Sequence, residues 1–330
     1  MHRITLTFIG IGMLIYSASA LHADEEEEPP LGLVEVVDPE GNPSTPAKTA
    51  LGERLFFDPI LSRDGSVSCA TCHVPTEAFA QRGRATSTGV DGAAGRRNAP
   101  SLLNVAFAKT LFHDGRAASL EDQAWLPILA LDEMGNTSEG EVIERLNASP
   151  EYVEEFKTAF GVELPTKATV AQALASYQRT LLSGNSAFDR WNWGESAALR
   201  DAAHEGYKLF AGQALCWQCH PLNSSDAVLL TDHRFHDTGV SHLNTQAGKP
   251  GDLGRFEVTG VSTDRMKFRT PSLRHVALTA PYMHDGSLAT LKEVVQFYNR
   301  AQGKGELQAL NLDDEQVNAL VAFLEALTGE

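Results

Sequence analysis

Cysteine is scarce in this chain of 330 residues: there are four, at 69, 72, 216 and 219, and they fall in two groups with none left over. Such groups allow a pair of disulfides, a tetracysteine zinc site or a C-x-x-C redox dithiol, and the residues around them must decide. Positive charge is also short. Lys and Arg number 27 against 43 Asp and Glu, a formal charge of −16, which argues against a nucleic-acid partner. A membrane-spanning run is missing as well, since the apolar stretch Ile4 to Ile15 is too short to cross a bilayer comfortably. With Arg3 before it and Ser17-Ala18-Ser19-Ala20 behind, it reads as a secretory signal over residues 1–23. No cysteine stands near the cleavage site to take a lipid. Alternating strand patterns are lacking too, so the fold is expected to be mainly α.

What is present is specific. Cys69-Ala70-Thr71-Cys72-His73 and Cys216-Trp217-Gln218-Cys219-His220 each place a histidine directly after the second of two cysteines three apart. That is the attachment motif of a c-type haem. Each cysteine forms a thioether with a haem vinyl group, and the adjacent histidine is delivered under the iron as an axial ligand. A redox dithiol does not need the histidine, and a zinc site leaves both histidines unexplained. Two covalently bound haem c groups are therefore expected. Export fits, because such haems are attached outside the bacterial inner membrane, and the expected location is periplasmic or secreted. The acidic surface would also suit a basic electron-transfer partner.

The landmarks come twice. Gly52-Glu53-Arg54-Leu55-Phe56 precedes the first haem motif and Gly206-Tyr207-Lys208-Leu209-Phe210 the second. Pro100-Ser101-Leu102 leads in 13 residues to His113-Asp114-Gly115, and Pro271-Ser272-Leu273 leads in 13 residues to His284-Asp285-Gly286. Each HDG runs into a helix start, with Ser119 and Thr290 as N-caps and Asp122 and Glu293 three residues on, as in a capping box. Each half closes with an amphipathic helix: Thr169 caps one bearing Val170, Leu174, Tyr177 and Leu181 and stopped by Gly184, and Asp313 starts one bearing Val317, Leu320, Leu324 and Leu327 and stopped by Gly329. The organisation expected is an acidic flexible leader at 24–46, a first haem domain at 47–190, a linker near Asn185 to Ala198, and a second haem domain at 198–330. Arg84 to Gly95 and Thr245 to Gly254 read as loops.

Duplication makes the two irons comparable. Tyr298 lies 14 residues after His284, and the residue 14 after His113 is Pro127. A tyrosine can ligate iron and a proline cannot. The second haem is thus expected to be His220/Tyr298, with Met266 or Met283 as fallback, and the first to have His73 and an open distal side. A phenolate ligand lowers the potential and a methionine raises it. An open iron that splits a peroxide needs a proton carrier: Glu133 is the candidate general acid–base, with Asp132 competing, and Gln123 would orient the peroxide.

These residues resemble the bacterial di-haem cytochrome c peroxidase and MauG family, over Leu51 to Gly329. The resemblance rests on Leu55-Phe56-Phe57-Asp58-Pro59, Leu61-Ser62-Arg63-Asp64-Gly65, Arg97-Asn98-Ala99-Pro100-Ser101-Leu102, Asp114-Gly115-Arg116-Ala117, Glu133-Met134-Gly135, Phe268-Arg269-Thr270-Pro271-Ser272-Leu273-Arg274 and Ala280-Pro281-Tyr282-Met283-His284-Asp285-Gly286. It implies two cytochrome c-like helical domains, a peroxide-reactive first haem and an electron-transferring second haem. Gln123 and Glu133 fall on the family's distal pair. It also implies a calcium ion between the haems with oxygens from Asn98, Thr279 and Pro281, ligand types that suit calcium. It allows a homodimer, which no motif decides.

Three departures matter. Typical di-haem peroxidases have methionine where Tyr298 stands, and tyrosine there is similar to MauG. They carry a blocking histidine in the loop after the first haem, where this chain has Gly89 and Val90 and no histidine between His73 and His113. Both relatives usually have tryptophan between the haems where this chain has His113, so His113 is the inter-haem relay candidate, with Trp217 or Trp125 as detours. The function expected is oxidation of an exported protein substrate by hydrogen peroxide through high-valent haem iron. One alternative is reduction of peroxide to water with electrons from a small cytochrome c or cupredoxin, and another is a non-catalytic di-haem electron carrier or sensor.

Overall fold

Two helix crossings, one per half, are each made tight by a glycine. Gly52 on the helix Pro46–Phe57 lies against Lys167–Arg179, where a Cβ would stand 1.9 Å from the Ala173 carbonyl oxygen and 2.9 Å from Tyr177 Cβ. Gly206 on Asp201–Ala211 meets Asp314–Glu325 in the same way, 2.0 Å from the Ala319 carbonyl and 2.8 Å from Phe323 Cβ. No other residue type allows backbones to approach so closely. The duplicated sequence is thus a duplicated packing unit.

The computed structural model describes residues 28–222, 227–248, 250–301 and 305–329; the expected signal segment lies outside them. The helices in order are α1 (Pro46–Phe57), α2 (Cys69–Cys72), α3 (Leu120–Leu129), α4 (Glu139–Asn147), α5 (Pro150–Phe160), α6 (Lys167–Arg179), α7 (Ala187–Asn192), α8 (Asp201–Ala211), α9 (Val240–Gln246), α10 (Phe256–Thr259), α11 (Leu291–Arg300) and α12 (Asp314–Glu325). Strand among the described residues is limited to β1 (Phe235–His236) and β2 (Phe268–Arg269), antiparallel with Phe235 opposite Arg269. The fold is mainly α, as expected. No helix among the described residues is long and apolar enough to cross a membrane.

Helix starts follow the caps with two corrections. Thr290 and Glu293 form a reciprocal capping box on α11, whereas the Ser119 hydroxyl of α3 accepts from the Asp122 N–H without a return bond. For α6 the cap is Thr166, three residues before the expected Thr169; the Thr169 hydroxyl accepts from the Thr166 N–H, so Thr169 is the second member of a box. The last helices also end early, at Arg179 and Glu325, yet Leu181 and Leu327 beyond them are buried. Their stop glycines meet: a Cβ on Gly329 would stand 1.8 Å from the Gly184 carbonyl oxygen.

Each half has its own core. Leu55, Phe56, Ile128 and Phe156 are fully buried in the first, and Phe210, Leu320, Phe323 and Leu327 in the second. The connection at 185–198 is no slack linker, because α7 buries Phe188 and Asp189, and Asp189 pairs with the buried Arg274 at 2.8 Å. Nor is the leader free throughout. Its acidic run lies mostly outside the described residues, but Leu31 and Asn185 exchange hydrogen bonds, and buried Asn42 donates to Glu121 at 2.8 Å and to the Gln172 carbonyl at 3.0 Å. Buried amide groups need such partners.

Candidate haem sites

The first motif is one helical turn, begun at Ser68, so Cys69 and Cys72 project from adjacent positions of α2 and the His73 N–H donates back to the Cys69 carbonyl at 2.9 Å. His73 Nδ1 lies 3.1 Å from the Phe79 carbonyl and 3.1 Å from the Pro100 carbonyl. In the second half, His220 Nδ1 lies 2.7 Å from the Leu230 carbonyl. A carbonyl only accepts, so Nδ1 carries the proton in both rings and Nε2 is left with its lone pair. Metal-bound histidines are oriented in this way. Burial lowers the pKa of His73 and brings that of His220 down to about 4, which keeps both imidazoles neutral. All four cysteines are free of disulfides. The residues present therefore fit a covalently held haem in each half, with Cys69, Cys72 and His73 holding one and Cys216, Cys219 and His220 the other.

Tyr298 is the eighth residue after the cap Thr290, and Pro127 is the eighth after the cap Ser119, so the two hold one helical position in two ten-residue helices. The Tyr298 hydroxyl has no hydrogen-bond partner among the described residues. Burial, with the neighbouring Cys216 and Cys219 sulfurs, holds its pKa well above that of a free phenol. A buried phenol without a hydrogen bond is costly, and a cation in the same pocket would both satisfy it and favour its ionised form. At Pro127 the chain presents only a ring.

Glu133 is the carboxylate nearest the first attachment site: its charge acts on both Cys69 and Cys72. Burial, then the adjacent Asp132, raises its pKa, and Arg116 acts against them. Asp132 exerts no such influence on the cysteines, so Glu133 is the better placed of the two. Gln123 stands one turn before Pro127 on α3, and no hydrogen bond joins it to Glu133 among the described residues. The loop after the first haem motif is pinned onto this segment. The Val90 N–H donates to the Glu133 carbonyl at 2.8 Å, and a Cβ on Gly89 would stand 2.2 Å from the Asp132 carbonyl oxygen. The loop position that departs from the peroxidase pattern is therefore a backbone contact with no room for a side chain.

Between the halves the backbone pairs reciprocally. The Asn98 N–H donates to the His284 carbonyl at 2.8 Å, and the Arg269 N–H donates to the His113 carbonyl at 2.8 Å, each two residues before a Pro-Ser-Leu. His113 Nε2 lies 2.9 Å from the Asn98 carbonyl, and burial pushes the His113 pKa down to about 4. His284 stacks on Phe268 with ring centres 3.7 Å apart. Of the calcium candidates, Asn98 donates its side-chain amide to the Arg84 and Ala85 carbonyls, and the Thr279 hydroxyl donates to the Val276 carbonyl, so their own side-chain oxygens keep lone pairs; the third, Pro281, follows the cis Ala280-Pro281 bond. Trp125 is buried in the first core with its N–H on the Lys167 carbonyl at 3.0 Å, while Trp217 is 47% exposed.

Sequence reading did not single out His236. Its ring lies 2.9 Å from Asp232 and 3.3 Å from Glu306, with Cys219 close enough that the three residues Cys219, Asp232 and His236 could meet on one ion. Cys219 is committed to the haem thioether, so this group belongs to the haem surroundings. No spacing rule links His236 to Cys219.

A family model described as di-haem cytochrome c peroxidase matches residues 46–197, and a cytochrome c model matches residues 203–328. The chain is 43% identical over 301 residues to the methylamine utilization protein MauG of Methylorubrum extorquens, covering 89% of this chain and 82% of that one. It is 35% identical to the cytochrome c551 peroxidase of Nitrosomonas europaea, covering 99% and 91%. A crystal structure of a MauG-like protein associated with microbial copper homeostasis superposes with a TM-score of 0.78 at 33% identity, covering 90% of this chain and 95% of that one. The paired attachment motifs, the oriented histidines and these likenesses agree: the chain belongs to the di-haem cytochrome c peroxidase and MauG family of haem c oxidoreductases.

Proposed function

We propose that the protein is a periplasmic di-haem oxidoreductase of MauG type, which takes oxidising equivalents from hydrogen peroxide at the first haem and delivers them through the second to an exported protein substrate. The observation that carries this reading is Tyr298, an unpartnered phenol beside Cys216 and Cys219 at the helix position that Pro127 holds in the other half. Haem bound in each half supplies the redox chemistry. The chain supplies the asymmetry: His73 and His220 present neutral Nε2 atoms, Tyr298 closes the far side of the second pocket, and Pro127 leaves the first side open. Glu133 takes a proton from the peroxide oxygen and returns it to the leaving oxygen, and Gln123 orients the peroxide. The fixed loop at Gly89 and Val90 keeps the first pocket open without a reductive rearrangement. His113 lies between the halves as the relay, and calcium held by Asn98, Thr279 and Pro281 belongs to the same proposal.

The second reading is a peroxidase drawing electrons from a small cytochrome c or cupredoxin. It is favoured by the relatives named cytochrome c peroxidase, and by a histidine at the relay position, since imidazole gives up an electron less readily than indole. Tyr298→Phe separates the two: under the MauG reading the substitution changes the absorption and electron paramagnetic resonance spectra of the low-spin haem alone. An unchanged spectrum moves the ligand to Met266 or Met283 and supports the peroxidase.

A further inference from the structure

One continuous run of aromatic rings leads from the second axial histidine to the surface. The centroid distances are 6.4 Å from His220 to Phe210, 5.1 Å from Phe210 to Phe323, 5.8 Å from Phe323 to Tyr207, and 4.9 Å from Tyr207 to Trp191. Phe188 braces the outer part, 6.1 Å from both Trp191 and Tyr207 and 5.4 Å from Phe323. Trp191 and Tyr207 are half-buried, so the run reaches solvent.

The duplication shows which part is packing. In the first half Phe56 and Tyr177 repeat the Phe210–Phe323 contact, with centroids 5.2 Å apart against the same glycine crossing. The position of Tyr207, next to that glycine, is Glu53 in the first half. The inner rings are therefore common to both domains, and the outer, oxidisable rings occur only beside the second haem. Among side chains, tryptophan and tyrosine lose one electron most readily, whereas phenylalanine does not. The phenylalanines serve as close-packed medium and the outer pair as stations. Neither Trp125 nor Trp217 has such a neighbour: among the described residues no ring stacks on either.

We propose that Trp191 and Tyr207 are a one-electron relay between the oxidised second haem site and the protein surface. One electron leaves the Trp191 indole, passes through Tyr207 and the two phenylalanines to the haem held at His220, and leaves Trp191 one-electron oxidised, its N–H proton going to water at the exposed edge. The oxidant is hydrogen peroxide, which takes two electrons and two protons to give two waters, so two crossings balance one peroxide. An electron from the protein substrate refills Trp191. The relay rests on the function proposed above.

The test uses the haem-loaded protein, grown with ring-deuterated tryptophan and mixed with peroxide without a donor. Rapid freezing and electron paramagnetic resonance should give an organic radical narrowed by the deuterium, and peptide mass spectrometry should find oxygen added chiefly at Trp191. Trp191→Phe abolishes both signals, Tyr207→Phe weakens both, and Trp193→Phe, which changes a ring 66% exposed outside the run, leaves both intact. Unaltered resting haem spectra establish that each variant is folded. If the haem spectra respond to peroxide but the radical survives Trp191→Phe, no radical forms, or the oxygen maps to Trp125, Trp193 or Trp217, the relay is overturned and the function stands. If peroxide leaves both haem spectra untouched, the proposed function fails and the relay with it.

Discussion

At Glu133 two surroundings compete, and burial prevails over Arg116 to hold the carboxyl above its usual range. The sign of the consequence is fixed. A proton acceptor must start as carboxylate, so reaction with peroxide should fail as pH falls through the raised pKa of Glu133, at a higher pH than an ordinary glutamate would give. Glu133→Gln keeps the size of the side chain and removes the proton carrier. Stopped-flow mixing with peroxide should show the first-haem change slowed by about 10²–10⁴-fold, the usual worth of a positioned acid–base, and should lose that pH dependence. An unchanged rate would take Glu133 out of the proposed chemistry. Gln123 has no such titration, so its substitution should alter the rate without moving the pH profile.

The helices separate what sequence pattern conveys from what it does not. Thr290, Ser119 and Asp313 were readable as caps because capping is local and its partner lies three residues away. Thr166 was not, because two threonines three apart satisfy the same rule and the pattern does not say which one leaves the helix. The Tyr298 and Pro127 correspondence was readable because duplication supplies an internal ruler. The crossings at Gly52 and Gly206 were readable only as repeated landmarks, since the carbonyl each touches is more than 100 residues away. The same distance in sequence concealed the carbonyls that orient His73 and His220 and the ring contact of Trp191 with Tyr207. The crossing makes a firm prediction. Gly206→Ala would drive a methyl into the Ala319 carbonyl and force α8 from α12, so thermal unfolding should show a loss of about 1–3 kcal/mol, the usual cost of overpacking. Substituting Gly41 by Ala, where a Cβ meets nothing within 4 Å, should cost far less.

Across the whole molecule the halves are joined by more than their connection. Beside the reciprocal Asn98 and Arg269 backbone bonds, Arg97 of the first half binds Asp252 of the second through two 2.8 Å hydrogen bonds while also pairing with Asp114 at 2.5 Å. Its side chain is 10% exposed and that of Asp114 is 4% exposed, so water cannot replace the guanidinium. The pairing holds the carboxyl of Asp252 down to about 2 against burial. Such a buried pair adds little over a well-packed apolar contact, yet breaking it is expensive because a charge is left alone. Arg97→Ala should therefore cost about 3–5 kcal/mol, and because Arg97 bridges the halves the loss should fall on their union. Calorimetry of the haem-loaded protein should then resolve two transitions where the parent gives one. Asp252→Asn, which leaves Arg97 paired with Asp114, should cost less; equal losses would mean that the ion pair does not couple the two haem domains.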